Sequence, residues 1–317
     1  MIGGIVWRID EGDALTCLRA MPDQSVQTCV TSPPYWGLRD YGHAGQLGLE
    51  ATPAEYVERL AAILAEVRRV LRDDGTLWCN LGDSYAGARG GKQGLSGQLA
   101  DRSASKQGAR AMHGTRRGEG FKSKDLVGIP WSVAFALRDA GWFLRSDIIW
   151  SKPNPTPESV TDRPTKAHEY IFLLSKSDRY FYDADAIAET SLRAGEFVRT
   201  NGGSVMGEFG RTREGLRAHN VKETRNKRTV WTIPSAPFPE AHFAAFPEEI
   251  PRLCILAGSR LGDVVLDPFA GSGTTGAIAT AIGRSFVGVE INPEYAAMAR
   301  RRIRRDGAPL FAREAAR

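Results

Sequence analysis

The chain has 317 residues, 42% of them hydrophobic and 25% charged, and its formal net charge is +5 at pH 7. This length suits one large α/β domain with an inserted module or two small domains, and the composition is ordinary for a soluble globular protein. It contains no run of about 18 apolar residues and no basic or long apolar N-terminal region, so neither a membrane span nor a signal peptide is expected.

The first 81 residues predict alternating strands and helices. Apolar runs predict strands at 6–9 and 27–30, and Ser32-Pro33-Pro34 ends the second, because proline donates no ladder hydrogen bond. A helix is predicted from Pro53, ending at Asp73-Asp74-Gly75, with a strand at 76–81 after it. The buried face of this helix is expected to carry Val57, Leu60, Leu64, Val67 and Leu71. The alternation predicts a parallel sheet with right-handed crossovers.

Two segments concentrate the positive charge. Residues 84–124 and 190–229 each contain nine Lys or Arg residues and carry net charges of +7 and +5, which leaves −7 for the remainder. The first segment is rich in Gly and Ser and predicts a long mobile loop. Solvated loops would explain one basic segment, whereas the pair indicates a polyanionic partner.

The second half resumes regular structure. We predict a helix over 129–138, strands at 145–150 and 170–175 with a proline-rich crossing between them, and a polar segment at 184–229. A further strand ends at Asp267, and a Gly-rich turn then opens a helix through Ile282. A strand at 285–290 and a basic helix after Pro293 complete the pattern.

The Gly-rich turn is Asp267-Pro268-Phe269-Ala270-Gly271-Ser272-Gly273-Thr274-Thr275. Glycines between a strand and a helix let the backbone approach a ligand, and Glu290, 23 residues after Asp267, suits a ribose-binding acid. G-x-G-x-x-G is formally present at 271–276, so an NAD site and a plain tight turn are alternatives. A Walker loop is disfavoured because no Lys precedes Thr274 or Thr275. No basic residue lies in the turn to meet a pyrophosphate, which favours S-adenosylmethionine over NAD.

The turn after the second strand is Thr31-Ser32-Pro33-Pro34-Tyr35-Trp36. Methylation of a base amine requires its delocalised lone pair to be freed, and hydrogen bonds from the amine to acceptors do this. The Ser32 side chain and the Pro33 carbonyl suit that role, and Tyr35 could stack on a flipped base. A rigid proline turn with a packed aromatic ring is the alternative interpretation of this stretch alone.

Together the two stretches resemble the amino-methylating DNA methyltransferases that use S-adenosylmethionine, across nearly the whole chain. The resemblance implies that the catalytic residues are Ser32, Pro33, Pro34 and Tyr35. It implies that the cofactor-binding residues are Asp13, Phe243, Asp267, Pro268, Phe269, Gly271, Gly273, Thr274 and Glu290. The order of the motifs is similar to that of the permuted β group, and neither a metal nor a covalent enzyme intermediate is implied.

The motif order and composition bear on the alternatives. Protein-glutamine methyltransferases place Asn-Pro-Pro-Tyr after the Gly-rich turn, whereas here Ser32 replaces Asn and the order is reversed. No proline precedes any of the four cysteines, as a 5-methylcytosine enzyme would require, and Cys29 is interpreted as a buried strand residue. Ser32 favours cytosine N4 as the target, with adenine N6 as the alternative. A catalytically inactive DNA-binding homologue and an NAD-linked oxidoreductase are remoter alternatives.

The expected fold is α/β, a doubly wound, mostly parallel, seven-stranded Rossmann-like methyltransferase sheet in circularly permuted order. Residues 1–183 form its catalytic half, 184–229 the inserted target-recognition region and 230–317 the cofactor-binding half. Widely spaced cysteines fit a reducing cytoplasm, and the protein is expected to be cytoplasmic and encoded by a bacterium or a phage. Double-stranded DNA is the expected partner, and a homodimer and a cognate restriction endonuclease are left open.

Several other residues have two interpretations. Asp83 follows a predicted strand, where α/β sheets place ligands, and has a site role or a structural one. His168-Glu169 could line the base pocket, although a buried structural His is as good an explanation. Trp36 and Trp150 are expected to pack rather than stack. The C-terminal Arg300, Arg301, Arg302, Arg304 and Arg305 could contact phosphates, although a solvated helix end is the favoured interpretation.

Overall fold

The computed structural model describes residues 4–40, 43, 45–87, 110–111, 120–191, 197–200, 217–220, 223–235 and 247–307. The chain divides into a larger unit, Met1–Tyr182 with Thr229–Arg317, and a smaller one, Asp183–Arg228. Phe243 and most of the basic segment 84–124 lie outside the described residues.

A mixed sheet forms the centre of the larger unit. Its strands are β1 (Trp7–Glu11), β2 (Val26–Thr31), β3 (Leu71–Leu81), β4 (Phe143–Ser151), β5 (His168–Ser175), β6 (Val230–Thr232), β7 (Val264–Asp267) and β8 (Ser285–Glu290). Their order across the sheet is β1-β8-β7-β2-β3-β5-β4-β6. All neighbours pair in parallel except at β5, which is antiparallel to both β3 and β4. The mostly parallel, doubly wound architecture predicted from the sequence is confirmed.

Helices cover the sheet. They are α1 (Ala14–Arg19), α2 (Pro53–Val70), α3 (Ile129–Asp139), α4 (Glu249–Gly258), α5 (Thr274–Ala281) and α6 (Pro293–Asp306). A capping box starts α2, because Thr52 accepts the Glu55 N–H and the Glu55 side chain accepts the Thr52 N–H. Such a cap typically contributes about 1 kcal/mol. No helix within the described ranges is long and apolar enough to cross a membrane.

The sheet differs from the prediction in two details. Among the described residues the central sheet has eight strands rather than seven, because the three-residue strand β6 pairs in parallel with β4 at the edge. A strand this short has no periodicity to read. Helix α2 ends at Val70 rather than at Asp73-Asp74-Gly75, because Leu71 is already extended and pairs with Val26 of β2.

The permuted order brings distant parts of the chain together. Strand β2 lies between β7 and β3, and Leu266 of β7 is in register with Cys29 of β2. Cys29 is fully buried, as expected for a small strand residue. The carboxyl ends of β2 and β7 therefore lie side by side, and the turns that follow them open at the same edge of the sheet.

The smaller unit contains two short antiparallel ladders among its described residues. Glu189–Thr190 pairs with Thr224–Arg225, and Phe197–Thr200 pairs with Arg217–Asn220. Arg225 and Arg228 both donate to the Glu189 carboxylate. Two of the basic side chains of this unit therefore stabilise the ladder that contains Glu189.

Candidate active site

A cavity of about 430 Å³ opens at the carboxyl edge of the larger unit's sheet. Of the residues predicted to be catalytic or cofactor-binding, it is lined by Asp13, Ser32, Pro33, Pro34, Tyr35, Pro268, Phe269, Gly271, Thr274 and Glu290. Asp267 and Gly273 do not line it, and Phe243 lies outside the described residues. The two motifs, which are distant in the chain, form one cavity.

The turn after β2 is held from both sides. The Tyr56 hydroxyl of α2 donates a 2.9 Å hydrogen bond to the carbonyl of Pro34. The Tyr35 ring lies against the backbone at Gly82, where a Cβ would come within 2.5 Å of Tyr35 Cε2. Trp36 is 2% exposed and donates from Nε1 to the Glu50 carbonyl, so it packs in the core as predicted. Tyr35 is the aromatic side chain of this turn that faces the cavity.

A polar network surrounds the Tyr35 hydroxyl. This hydroxyl donates to Glu169 Oε2 at 2.6 Å, and Asn80 Nδ2 lies 2.8 Å from the phenol oxygen and 3.0 Å from the same carboxylate oxygen. Asn80 Nδ2 also lies 3.3 Å from Ser32 Oγ. Lys152 forms an ion pair with the other Glu169 oxygen. Burial and the adjacent Glu169 carboxylate raise the pKa of Tyr35 well above its usual value, so the phenol stays protonated.

Asp267 is buried behind the cavity, where its carboxylate connects neighbouring elements. Its carboxylate accepts the hydroxyls of Thr31 and Thr275, each at 2.7 Å, and the backbone N–H of Phe269 at 3.1 Å. Burial raises its pKa to about 6, although these three hydrogen bonds favour the charged form. Asp267 therefore shapes the cofactor turn from behind instead of facing the cavity.

Glycine is required at two positions of the turn, for a different structural reason at each. Gly271 has a left-handed φ of +52° and its N–H donates to Glu290 Oε2 at 2.8 Å. Gly273 has a φ of +81°, and a Cβ there would lie 2.8 Å from the Ala299 Cα of α6. Gly271 lets the backbone approach the cavity, whereas Gly273 lets α5 and α6 pack closely.

Glu290 ends β8 at the cavity wall. One carboxylate oxygen accepts from Gly271, and the other accepts the N–H of Asn292 at 2.8 Å. Burial is the main reason that its pKa is raised. Asp13, on the same wall, caps α1 through Thr16. Both carboxylates are therefore held by the backbone at the edge of the cavity.

Arg302 of α6 is buried, with only 4% of its surface exposed. The prediction of a solvated helix end is therefore wrong for this arginine. Its guanidinium donates to Thr274 Oγ1 at 2.8 Å, to Ser272 Oγ at 3.3 Å and to Glu248 Oε1 at 2.8 Å. Arg302 does not line the cavity itself, and these hydrogen bonds support the cofactor turn and connect it to Glu248. A run of arginines on one helix gave no signal of which would turn inward.

Asp83 has a structural role in the described chain. Its Oδ1 accepts the N–H groups of Gly128 and Ile129 at 3.0 and 3.1 Å, and it does not line the cavity. It therefore caps the N-terminus of α3 from a distant loop. His168 packs edge-on against Tyr170, whereas its neighbour Glu169 faces the cavity.

Sequence reasoning missed two members of the polar network. Asn80 lies near the carboxyl end of β3 and Lys152 directly after β4, and both line the cavity. Trp150, expected to pack, is 4% exposed, and Lys152 Nζ lies 4.3 Å from its ring centroid. The position of Asn80 near a strand's carboxyl end was the available signal. Lys152 had none, because it reaches the site only through the pairing of β4 with β5.

Comparison with known proteins gives a consistent result. A family model described as DNA methylase (N6/N4 type) matches residues 26–301. The type II methyltransferase M.Cfr9I of Citrobacter freundii is 48% identical over 92% of this chain and 86% of its own length. M.SmaI of Serratia marcescens is 45% identical over 94% of this chain and 91% of its own.

A solved structure agrees with these relatives. A Thermus thermophilus protein, described as a putative DNA modification methylase and solved in complex with S-adenosyl-L-methionine, superposes with a TM-score of 0.60. The sequence identity is 26%, and the match covers 96% of both chains. The likeness thus extends over both halves of the sheet and over the cavity that they share.

Proposed function

The chain belongs to the N6/N4 DNA methylase family, and we propose that it methylates the exocyclic N4 of a cytosine flipped out of duplex DNA. It is a site-specific methyltransferase of the type II restriction–modification class. The methyl donor is S-adenosylmethionine, which supplies an electrophilic methyl group when bound. The observation that carries the proposal is that the Ser32–Tyr35 turn and the Gly271 turn line one cavity.

The cofactor side of the cavity fits S-adenosylmethionine. Gly271 offers a close backbone approach, and the carboxylates of Glu290 and Asp13 are acceptors suited to hydroxyl and amino groups. Pro268 and Phe269 supply an apolar wall. No Lys or Arg lies within the turn 267–275, so a pyrophosphate would meet no counter-charge there, which argues against NAD.

The base side of the cavity fits an amine. Ser32 Oγ lies in the cavity wall, and the Pro33 carbonyl is the second acceptor that we assign to the two amino hydrogens. The neighbouring Pro34 carbonyl already accepts a hydrogen bond from the Tyr56 hydroxyl, so we assign the substrate amine to the Pro33 carbonyl. The two acceptors free the nitrogen lone pair for methyl transfer, and the proton is lost to solvent or to Ser32.

The choice of cytosine over adenine rests on Ser32. Family members with the Ser-Pro-Pro-Tyr form found here mostly resemble cytosine-N4 enzymes, and serine rather than aspartate at position 32 favours cytosine over adenine. Tyr35 is fixed at its hydroxyl by Glu169 and Asn80, so its ring is a rigid surface on which a flipped base can stack.

The basic segments 84–124 and 190–229 supply the phosphate contacts of this proposal. Target recognition is assigned to the inserted unit Asp183–Arg228, which is compact by itself. Residues 243–248 are similar to the family's segment that closes over the methionine end of the cofactor, and we assign them that role. A homodimer and a restriction endonuclease that cuts the same site are the further proposed partners.

The deciding experiment is base-resolution mapping of methylation in a host that expresses the chain, with Ser32→Ala as the inactive control. N4-methylcytosine at one short sequence is expected with the wild type alone. N6-methyladenine would overturn the choice of base. Absence of any methyl transfer, despite binding of S-adenosylmethionine by calorimetry, would leave a DNA-binding protein without activity. Binding of NAD in place of S-adenosylmethionine would overturn the whole proposal.

A further inference from the structure

The hydrogen bonds around Tyr35 have a direction, and one carboxylate sets it. An ionised carboxylate can only accept hydrogen bonds, so the Tyr35 hydroxyl must donate to Glu169 Oε2 at 2.6 Å. The ion pair with Lys152 occupies the other carboxylate oxygen. The Tyr35 hydrogen is therefore committed to Glu169 and points away from Ser32.

The direction of the Tyr35–Glu169 hydrogen bond determines how the neighbouring groups can bond to the phenol oxygen. The phenol oxygen can now only accept, and Asn80 Nδ2 at 2.8 Å and the Ser32 hydroxyl at 3.5 Å are the donors near it. The Asn80 amide cannot turn over, because its carbonyl would then face three oxygen atoms, one of them charged. Asn80 Oδ1 is buried without a partner among the described residues, so the network holds the amide in this orientation at some cost.

Ser32 stands at the end of this series of hydrogen bonds, in the cavity wall. A serine hydroxyl can donate or accept, and rotation chooses between the two. With its hydrogen directed to the Tyr35 oxygen, the Ser32 oxygen is left to accept. An accepting oxygen pairs with an amine, whereas it repels a carbonyl oxygen at the same place.

We propose that Glu169 is a positioning residue that acts through Tyr35 and Ser32 to keep the Ser32 oxygen accepting, so that the pocket takes a base with an exocyclic amine and rejects one with a carbonyl. The inference rests on the proposed function and deepens it. The substrate class it selects is the amino-bearing bases, cytosine and adenine, against uracil or thymine.

The location of Glu169 agrees with this role. It lies on β5, opposite Trp150 of β4, and its side chain is 14% exposed in the wall of the cavity. A partly buried ion pair is weak evidence of stabilisation, because an apolar pair of similar volume often serves as well. An ion pair at this place gives the pocket a fixed hydrogen-bond polarity, which an apolar pair would not.

The test compares Glu169→Gln with the wild type and with Glu158→Gln, a control on a glutamate that pairs with Arg163 and does not line the cavity. The Glu169→Gln change keeps the size of the side chain but lets it donate as well as accept, so the direction is lost. We expect the single-turnover methylation rate to fall about tenfold or more, while affinities for S-adenosylmethionine and DNA change less than about twofold. Glu158→Gln should match the wild type.

A second measurement would not respond to a merely structural role. Each protein is titrated with two duplexes that differ by cytosine or uracil at the target, in the presence of a non-reactive cofactor analogue. Replacing the target cytosine by uracil weakens its base pair to the same extent whichever protein is bound. This effect therefore cancels when the cytosine preferences of the proteins are compared. The preference of the wild type for cytosine should shrink in Glu169→Gln and persist in Glu158→Gln.

The outcomes separate the two proposals. Glu169→Gln with the wild-type rate and the wild-type preference for cytosine would overturn the positioning role while the methyltransferase stands. A wild type that transfers no methyl group would overturn the proposed function, and the inference with it. If Glu169→Gln does not fold, Tyr35→Phe, which removes the linking hydroxyl, decides, and an unchanged cytosine preference there would refute the role.

Discussion

The hydroxyl of Thr31 donates a 2.7 Å hydrogen bond to the carboxylate of Asp267, although 236 positions separate them in the sequence. Thr31 is the last residue of β2 and Asp267 the last of β7, and these strands are neighbours. The residues of the two turns that line the cavity begin directly after them, at Ser32 and at Pro268. A single buried carboxylate therefore fixes the two turns relative to each other, which is what methyl transfer between two ligands requires.

The free energy of unfolding should depend on pH through the ionisation of Asp267. Because its pKa is about 6 in the folded protein and about 4 in an unfolded chain, the folded state holds the proton more tightly. Its contribution to the free energy of unfolding is thus full below about pH 4 and is lost as pH rises through about 6.

Asp267→Asn removes this titration, so the stability of the wild type relative to the variant should fall by roughly 2–3 kcal/mol between pH 4 and pH 7. Urea unfolding at several pH values measures the difference, in which the other carboxyl groups cancel. A difference that is independent of pH would contradict the raised pKa.

Gly82 should be intolerant of a methyl group. A Cβ there would lie 2.5 Å from the Tyr35 ring, which is also held at its hydroxyl, so the ring must shift. We expect Gly82→Ala to reduce kcat about tenfold, the effect of 1–2 kcal/mol of overpacking, with unchanged affinity for S-adenosylmethionine. Gly4→Ala, where nothing lies within 4 Å, is the matched control. Equal rates for the two variants would argue against a fixed ring.

Arg302 should affect the cofactor without touching it. Arg302→Met keeps most of the buried volume but removes the hydrogen bonds to Ser272 and Thr274, which lie in the cavity wall. We expect the Kd for S-adenosylmethionine to rise between about threefold and tenfold, or about 1 kcal/mol. The exposed neighbour Arg301, changed to Ala, should leave it unaltered in the same calorimetric titration.

DNA affinity should depend on salt through the basic segment 190–229. Replacement of Arg211, Arg213 and Lys222 by Ala should weaken binding and lower the slope of log Kd against log salt by up to about 3 units, near one per phosphate contact. Fluorescence anisotropy between about 50 and 200 mM salt, concentrations at which such contacts respond strongly, measures the slope. Three exposed arginines elsewhere, Arg8, Arg19 and Arg138, serve as the control set. If the variant in this segment had the same slope as the control variant, the phosphate contacts would lie outside the segment.

Local signals predicted most of the elements. The Thr52-Pro53 start of α2 and the strand at 285–290 are where the sequence places them, because capping, proline geometry and apolar periodicity act over a few residues. The end of α2 was placed too late. There a long-range pairing of Leu71 with Val26 overrides the turn-like Asp73-Asp74-Gly75.

The side chains around the pocket were harder to predict. The place of Asp83 after a strand left a site role and a structural role equally open, and its carboxylate proves to cap α3, 45 positions away in the chain. Arg302 looked like one more solvated arginine, yet it is buried behind the cofactor turn. In both cases the deciding partner comes from another element, and no sequence spacing records it.

The sequence by itself determined the family, the alternation of elements and the two turns, Ser32–Tyr35 and Asp267–Thr275. Prolines and glycines restrict or free the backbone locally, so their consequences can be read along the chain. Only the tertiary structure decided that Glu169, Asn80 and Lys152 meet at the Tyr35 hydroxyl. They come from three different strand ends, and the antiparallel insertion of β5 between β3 and β4 is what brings them together.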